Sequence, residues 1–200
     1  MVYKMNLEKS KEYLERAKKV IPSATQTFSK GPTQWVGDVS PHYLKRGDGA
    51  WVWDVDGNRY LDYLMALGPI ILGYNNQRVN EAVIQQLQDG AVFSQMHPLE
   101  VEVAEMLVDL IPCAEMVRFA KNGSDATTGA VRAARAYTNR ERIIYCGYHG
   151  WHDWYIGTTT RDLGVPSAVK ELTSSFEYND LSSLEAALKK YPGEVAAVVM

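Results

Sequence analysis

A run of small and polar residues, Asn122-Gly123-Ser124-Asp125, lies where a strand-like stretch changes to a helix-like one, and we name it the small-residue turn. A turn between a strand and a helix leaves backbone N–H groups free and points them, with the positive end of the helix dipole, beyond the strand. A phosphate monoester suits such donors. An ordinary helix cap without a ligand is the commoner use of these residues, so that alternative stays open. A P-loop is excluded, because Lys121 precedes the glycine.

A second candidate segment, Gly147–Tyr155, follows the next predicted strand, and we name it the aromatic loop. In a doubly wound sheet this loop emerges at the same edge as the small-residue turn. The ring of Tyr148 could stack there on a flat cofactor, contributing about 0.5–1.5 kcal/mol beyond the buried area. Two alternatives stay open. The aromatic side chains could simply pack in a core or interface, or His149, His152 and Asp153 could bind a metal, although one short run offers three ligands at most.

The elements that must position these segments have an α/β pattern. The sequence predicts strands at 116–120 and 142–146 and helices over about 125–137 and 181–190. We expect the alanines of the first of these helices to pack closely on a sheet. The apolar run at 195–200 is typical of a buried parallel strand, which is an unusual place for a chain to stop. We therefore expect this chain to be the N-terminal part of a longer protein.

The N-terminal part has a different pattern, that of one helix and a small antiparallel unit. The sequence predicts an amphipathic helix at 6–20, a long loop at 23–39 and three short strands at 43–46, 50–54 and 59–62. The Asp-Gly and Gly-Asn pairs within 55–58 favour a tight hairpin. Two helices are predicted further on, near 78–89 and 99–110. We divide the chain into an N-terminal segment, 1–75, and the first part of an α/β large domain, 76–200.

Composition excludes several classes of protein. With 46% apolar residues, the 200-residue chain can form a real core. The 21 basic and 24 acidic residues nearly balance, so nucleic-acid binding is not expected and a small-molecule partner is. Residues 1–20 contain no uninterrupted apolar run, which argues against a secretory signal or membrane anchor. The two cysteines, Cys113 and Cys146, form no CxxC pair, which favours a reducing compartment and a cytoplasmic location.

Four separated blocks match a known family in order and spacing. They are residues 50–63, with "D-x-D-G-x-x-Y-x-D", residues 68–74, close to "GPxxLGH", residues 122–138, close to "S-G-T-E-A" followed by "ARAYT", and residues 148–150, "YHG". From about residue 20 onward the chain resembles the class III aminotransferases that depend on pyridoxal 5'-phosphate (PLP), and in particular the glutamate-1-semialdehyde 2,1-aminomutase type. The resemblance implies part of the fold type I large domain, with a mainly parallel sheet.

The resemblance also implies roles for particular residues. The backbone of Gly123 and the backbone and hydroxyl of Ser124 are expected to bind the PLP phosphate. Tyr148 is expected to stack on the pyridine ring, with His149 as a supporting neighbour. Asn122 and Asp125 belong to the same cofactor-binding segment, but they stand where the family more often has Ser and Glu. PLP chemistry further needs a Schiff-base lysine and a carboxylate at the pyridine nitrogen. In the family both lie beyond residue 200, so we assign no catalytic residue and expect this chain alone to be inactive.

The reaction within the family stays open. Residues 25–28 and 66–69 differ from the "VNSP" and "SWGP" segments of the aminomutases, which face substrate in that family. An aminotransferase acting on another amine or amino acid, with a small-molecule amino donor and acceptor, is therefore a rival to an aminomutase. The resemblance implies a homodimer, with residues 68–74 near the shared active site. The alternative outside enzymes is a non-catalytic fragment or homologue that binds a phosphorylated ligand or a partner subunit.

Overall fold

The computed structural model describes residues 5–200, which separate into two units between Gln95 and Met96. In chain order the first unit contains helix α1 (Glu8–Val20), strands β1 (Leu44–Asp48), β2 (Trp51–Asp54) and β3 (Arg59–Leu61), and helix α2 (Gln77–Asp89). The predicted helices and the three strands are confirmed to within about two residues at each end. The predicted loop at 23–39 contains only short 3-10 turns, at Pro22–Ala24, Phe28–Lys30 and Pro32–Gln34. The predicted domain boundary at 75/76 concerns the large domain of a longer protein and stays a prediction.

The hairpin of the first unit is built around the carboxylate of Asp54, which is 2% exposed. Its Oδ1 accepts the N–H groups of Asp56 and Asn58, at 3.0 and 2.8 Å. Its Oδ2 accepts the Asn58 amide and the Tyr60 hydroxyl, at 2.7 and 2.8 Å. Burial alone raises the pKa of Asp54, but these hydrogen bonds outweigh it and hold the pKa below its ordinary value. The buried charge is therefore fully solvated by the protein's own donors.

The next acidic residue of the hairpin joins the sheet to α1. The two carboxylate oxygens of Asp56 accept the backbone N–H groups of Lys9 and Ser10, each at 2.9 Å. Leu7, at the start of α1, has no side-chain cap of its own, so Asp56 supplies the missing acceptors from another element. Strands β1, β2 and β3 form an antiparallel sheet in that order.

The connection after β3 contains a strained turn. Met65, Ala66 and Leu67 all have positive φ angles, of 47°, 53° and 72°. L-residues avoid this left-handed region at a cost of about 1–2 kcal/mol each. The turn is followed by Tyr74, whose hydroxyl donates to Asp62 Oδ2 at 2.6 Å. Burial and this bond raise the pKa of Tyr74 to about 12.

The second unit is an α/β layer around a three-stranded parallel sheet. Its elements are helices α3 (Pro98–Leu110), α4 (Gly123–Thr138), α5 (Asp153–Ile156), α6 (Ser167–Glu171) and α7 (Leu181–Lys190), and strands β4 (Arg142–Tyr145), β5 (Thr173–Ser175) and β6 (Val195–Val199). The strand order is β5-β4-β6, so the central strand β4 carries the fully buried Ile143 and Ile144. Val131 of α4 and the rings of Tyr145, Trp154 and Tyr155 complete the core.

Two predictions for this unit are wrong. Residues 116–120 form no strand, because a strand needs a hydrogen-bonded neighbour and no described strand pairs with them. The alanines of α4 do not face the sheet, since Ala126, Ala130 and Ala133 are exposed. The buried side of α4 instead carries Val131. The predicted parallel strand at the end of the chain is confirmed as β6. No helix within residues 5–200 is both long and apolar enough to cross a bilayer.

Candidate cofactor site

The small-residue turn begins α4. Asn122 is its N-cap, and its Oδ1 accepts the N–H of Asp125 at 3.1 Å. The N–H groups of Gly123 and Ser124 lie in the first turn, where a helix provides no acceptor. Within residues 5–200 no other group accepts from them either. No atom lies within 4 Å of the position that a Cβ would take on Gly123, so the space beside these donors is open.

The aromatic loop, which follows β4, packs directly against this first turn. The N–H of Trp151 donates to Ser124 Oγ at 3.4 Å. The Thr127 hydroxyl is 3.1 Å from the carbonyl oxygens of both Ser124 and His149, so it can donate to either segment. The two segments therefore meet, as the sequence predicted. Thr127 was not predicted to take part, although it lies three residues after Ser124 and hence on the same face of the helix.

Gly150 allows this close approach. It is buried, with φ at 105°. A Cβ on Gly150 would lie 2.2 Å from Ser124 Oγ and 2.9 Å from Ser124 Cβ, well inside van der Waals contact. Only glycine fits both the backbone conformation and the space. The contact with Ser124 therefore explains why the last position of the "YHG" block is a glycine in this chain.

Tyr148 lies in the aromatic loop with 78% of its surface exposed. Its ring meets the buried ring of Tyr155 edge to face, with centroids 5.7 Å apart and an angle of 84°. Burial, together with the neighbouring phenols of Tyr145 and Tyr148, raises the pKa of Tyr155, which stays a neutral support at ordinary pH. The Tyr148 ring is therefore supported at one edge and otherwise open to a ligand.

His149 holds the loop in place. Its Nε2 lies 2.7 Å from the carbonyl oxygen of Cys146, and because a carbonyl only accepts, Nε2 carries the proton. The imidazole stacks on Trp154, with centroids 6.0 Å apart, and meets Tyr155 edge to face at 5.5 Å. These contacts fix the loop backbone next to Tyr148 in the chain, and His149 shares the Tyr155 ring with Tyr148 as a neighbour.

His152 joins the loop to α4 a second time. Its Nδ1 lies 2.8 Å from the Thr128 hydroxyl, which also accepts the indole N–H of Trp154 at 3.1 Å. Its Nε2 lies 3.6 Å from Asp125 Oδ1. The metal site considered for His149, His152 and Asp153 has no support here, since the two imidazoles have separate partners. Within residues 5–200 no three His, Cys, Asp or Glu side chains are grouped to hold a metal ion.

Comparison with known proteins decides the family. The model of the class III aminotransferases matches residues 34–200. The chain belongs to the class III aminotransferase family. Among curated relatives, it is 39% identical to a 3-aminobutyryl-CoA aminotransferase of Cloacimonas acidaminovorans (strain Evry), over 100% of this chain and 48% of the relative. It is also 39% identical to a glutamate-1-semialdehyde 2,1-aminomutase of Acetivibrio thermocellus, over 98% of this chain and 48% of the relative.

Solved structures agree with this family. The FumI protein of Sphingopyxis sp. MTA144, solved with PLP, superposes with a TM-score of 0.87 at 33% identity, over 96% of this chain and 45% of FumI. The predicted α/β fold of PLP-dependent transaminases and the family resemblance are therefore confirmed. The chain spans about half the length of the curated relatives it matches.

Proposed function

We propose that the complete protein is a PLP-dependent aminotransferase or aminomutase, and that this chain supplies its phosphate-binding turn and its ring-stacking tyrosine. One observation carries the proposal. The open N–H groups of Gly123 and Ser124 lie in a turn against which the aromatic loop, with the exposed ring of Tyr148, is directly packed. A phosphate needs such donors and a flat heterocycle needs such a ring.

Each residue of the site has a proposed task. The N–H groups of Gly123 and Ser124 bind the phosphate of PLP, and the Ser124 hydroxyl can add a further donor. Asn122 keeps the turn in the shape that exposes these donors. The Tyr148 ring lies against the pyridine ring and His149 supports it from below. Bound PLP supplies an electron sink for the substrate's amino carbon.

The groups that complete PLP chemistry are proposed to lie outside this chain. A lysine must bond covalently to the cofactor, and a carboxylate must keep the pyridine nitrogen protonated. We assign neither to a residue of this chain, and we propose that residues 1–200 alone do not transaminate.

The substrate class is a small-molecule amino donor with an amino acceptor. The relatives named above include both an aminotransferase and an aminomutase, at equal identity, so we propose the shared chemistry of moving an amino group. Residues 66–69, which depart from the aminomutase pattern, overlap the left-handed turn at Met65–Leu67. Strained backbone of this kind is concentrated at functional sites, which supports a role for this segment in substrate recognition.

Assembly and location are further proposals. Apolar side chains on α2 and α3 are exposed, among them Val83 and Leu87 on α2 and Met106 and Leu110 on α3. Exposed apolar area of this kind is typical of surfaces that become buried against other protein. It supports the proposed homodimer of the complete protein. A cytoplasmic location remains a proposal from the cysteine content.

The experiment uses the full-length protein and PLP. We expect a visible absorption band on mixing, and borohydride should abolish that band and leave a pyridoxyl group fixed to a lysine beyond residue 200. No binding of PLP would refute the proposal. Binding without covalent trapping would instead favour the alternative of a non-catalytic protein that recognises a phosphorylated ligand.

A further inference from the structure

The first turn of α4 contains a charge that opposes anion binding. Asp125 is the third residue of the helix, and its carboxylate is as negative as the phosphate that the turn is proposed to hold. A Glu or Gln at this position commonly folds back and accepts the N–H of the N-cap residue. Helix α3 of this protein does so, because Glu100 Oε1 accepts the N–H of His97 at 2.9 Å. A carboxylate folded back in this way places its negative charge at the N-terminus of the helix, where a phosphate would bind.

Asp125 behaves differently from Glu100. Within residues 5–200, no hydrogen bond joins its carboxylate to the N–H of Asn122 or to any other first-turn amide. The carboxylate is 38% exposed and lies to the side, with Oδ1 3.6 Å from Nε2 of His152. The donors of the turn stay uncovered as a result.

His152 is held in the orientation that this contact requires. The indole of Trp154 can only donate, so the Thr128 oxygen accepts from it at 3.1 Å. The Thr128 proton is then available for His152 Nδ1, at 2.8 Å. Whichever group donates in this hydrogen bond, Nε2 is the ring atom that faces Asp125. Trp154 and Thr128 thus fix the orientation of the His152 ring.

We propose that His152 is a positioning residue that holds the Asp125 carboxylate aside, so that the first-turn N–H groups of α4 remain available to the phosphate of the cofactor. The inference rests on the proposed function, since it concerns the same turn. It assigns His152 no contact with the cofactor. Its effect is transmitted through Asp125 alone, and this makes the two residues energetically coupled.

The test compares two substitutions of His152 in the full-length protein. His152→Asn can keep a partner for Thr128 but is too short to reach Asp125. His152→Gln places an amide near the position of Nε2 and can still donate to Asp125. We expect the Asn variant to bind PLP about tenfold more weakly and the Gln variant to lie within about threefold of the wild type, because only Gln keeps a donor that faces the Asp125 carboxylate. PLP affinity is measured by equilibrium dialysis, without reference to activity.

If the charge of Asp125 is removed, His152 should no longer be needed for PLP binding. Asp125→Asn in the His152→Asn background is expected to restore PLP affinity to within about twofold of Asp125→Asn alone, because the neutral amide does not repel the phosphate. Pyridoxal, which lacks the phosphate, should bind equally to the wild type and to His152→Asn. A role in folding alone would weaken both ligands and would not be reversed at residue 125. His42→Asn, a matched exchange in the other unit, should leave PLP affinity unchanged.

The outcomes separate the two proposals. If the wild type does not bind PLP, the proposed function and this inference both fail. If the wild type binds PLP, three results would overturn the inference while the proposed function stands. They are a PLP affinity of His152→Asn equal to that of the wild type, a failure of Asp125→Asn to restore PLP affinity in the His152→Asn background, and an equal loss of affinity for pyridoxal and PLP. Should His152→Asn fail to fold, Thr128→Val removes the hydroxyl that orients the ring at nearly constant volume. The same loss and the same reversal by Asp125→Asn are then required, and their absence overturns the inference.

Discussion

Gly150→Ala is the substitution that most directly tests the packing of the aromatic loop on the first turn of α4. The new methyl group would lie 2.2 Å from Ser124 Oγ, in a backbone with φ at 105°. The positive φ costs about 1–2 kcal/mol for an L-residue, and forcing apart packed groups costs about 1–3 kcal/mol more. Gly147→Ala is the matched control, because its φ is 87° but nothing lies within 4 Å of the added Cβ. The control should therefore show the backbone cost alone.

Urea unfolding of the full-length protein measures both costs. We expect Gly150→Ala to lower the free energy of unfolding by about 2–5 kcal/mol and Gly147→Ala by about 1–2 kcal/mol. The difference between them is the cost of the clash with Ser124. PLP affinity should fall further in Gly150→Ala, because the displaced residue carries one of the proposed phosphate donors. Equal losses of stability in the two variants would refute the close contact.

Three further perturbations have expected outcomes. Tyr148→Ala should weaken PLP binding about tenfold, yet change the free energy of unfolding by less than about 0.5 kcal/mol because the ring is mostly exposed; equal damage to both would make this residue structural. Ala66→Gly should stabilise the protein by about 0.5–1 kcal/mol in urea unfolding, since φ is 53°, whereas Ala50→Gly, where φ is not positive, should not. The pKa of Tyr74 is raised to about 12 in the folded protein, against about 10 in the unfolded chain, so its protonated hydroxyl stabilises the fold below pH 10. In unfolding measurements this contribution to the free energy of unfolding should disappear between pH 10 and 12. Tyr74→Phe should lack that part of the pH dependence.

Most of the fold could be predicted from local patterns. The hairpin at 55–58 and the four longest helices have strong periodicity or strong turn residues, and the structure places them within a few residues of the prediction. Helices α5 and α6 were not predicted, because a helix of four or five residues is too short to show a period. Strand β5, Thr173–Ser175, was missed because it contains no apolar residue. Residues 116–120 failed for another reason. Their mostly apolar composition is typical of a strand, but a strand also requires a hydrogen-bonded neighbour.

The candidate site could be predicted only in part. Glycine and small polar residues after a strand indicate an anion-binding turn, and a Tyr-His pair between glycines indicates a second segment near it. Local sequence does not tell which hydroxyls join the two. Thr127 and Thr128 bond the aromatic loop because α4 turns this polar face inward, whereas the pattern of alanines favoured the opposite face. The choice between the two faces depends on hydrogen bonds to residues 22 to 26 positions away along the chain.

The blocks that carry the family resemblance serve two different physical purposes. The acidic hairpin is structural: Asp54 is buried with four donors around it and Asp56 caps α1, so neither carboxylate is left to act on a ligand. The small-residue turn and the aromatic loop differ from the hairpin. Within residues 5–200 the N–H groups of Gly123 and Ser124 have no acceptor, and the ring of Tyr148 is mostly exposed. Gly123 is exposed and Ser124 is half-buried, so these donors are open to a ligand. The carboxylates of the Asp-x-Asp-Gly hairpin thus have all their partners, whereas the amides of the small-residue turn are open. This difference is the physical reason for proposing the cofactor site at Ser124 and not at the hairpin, although both segments are characteristic of the family.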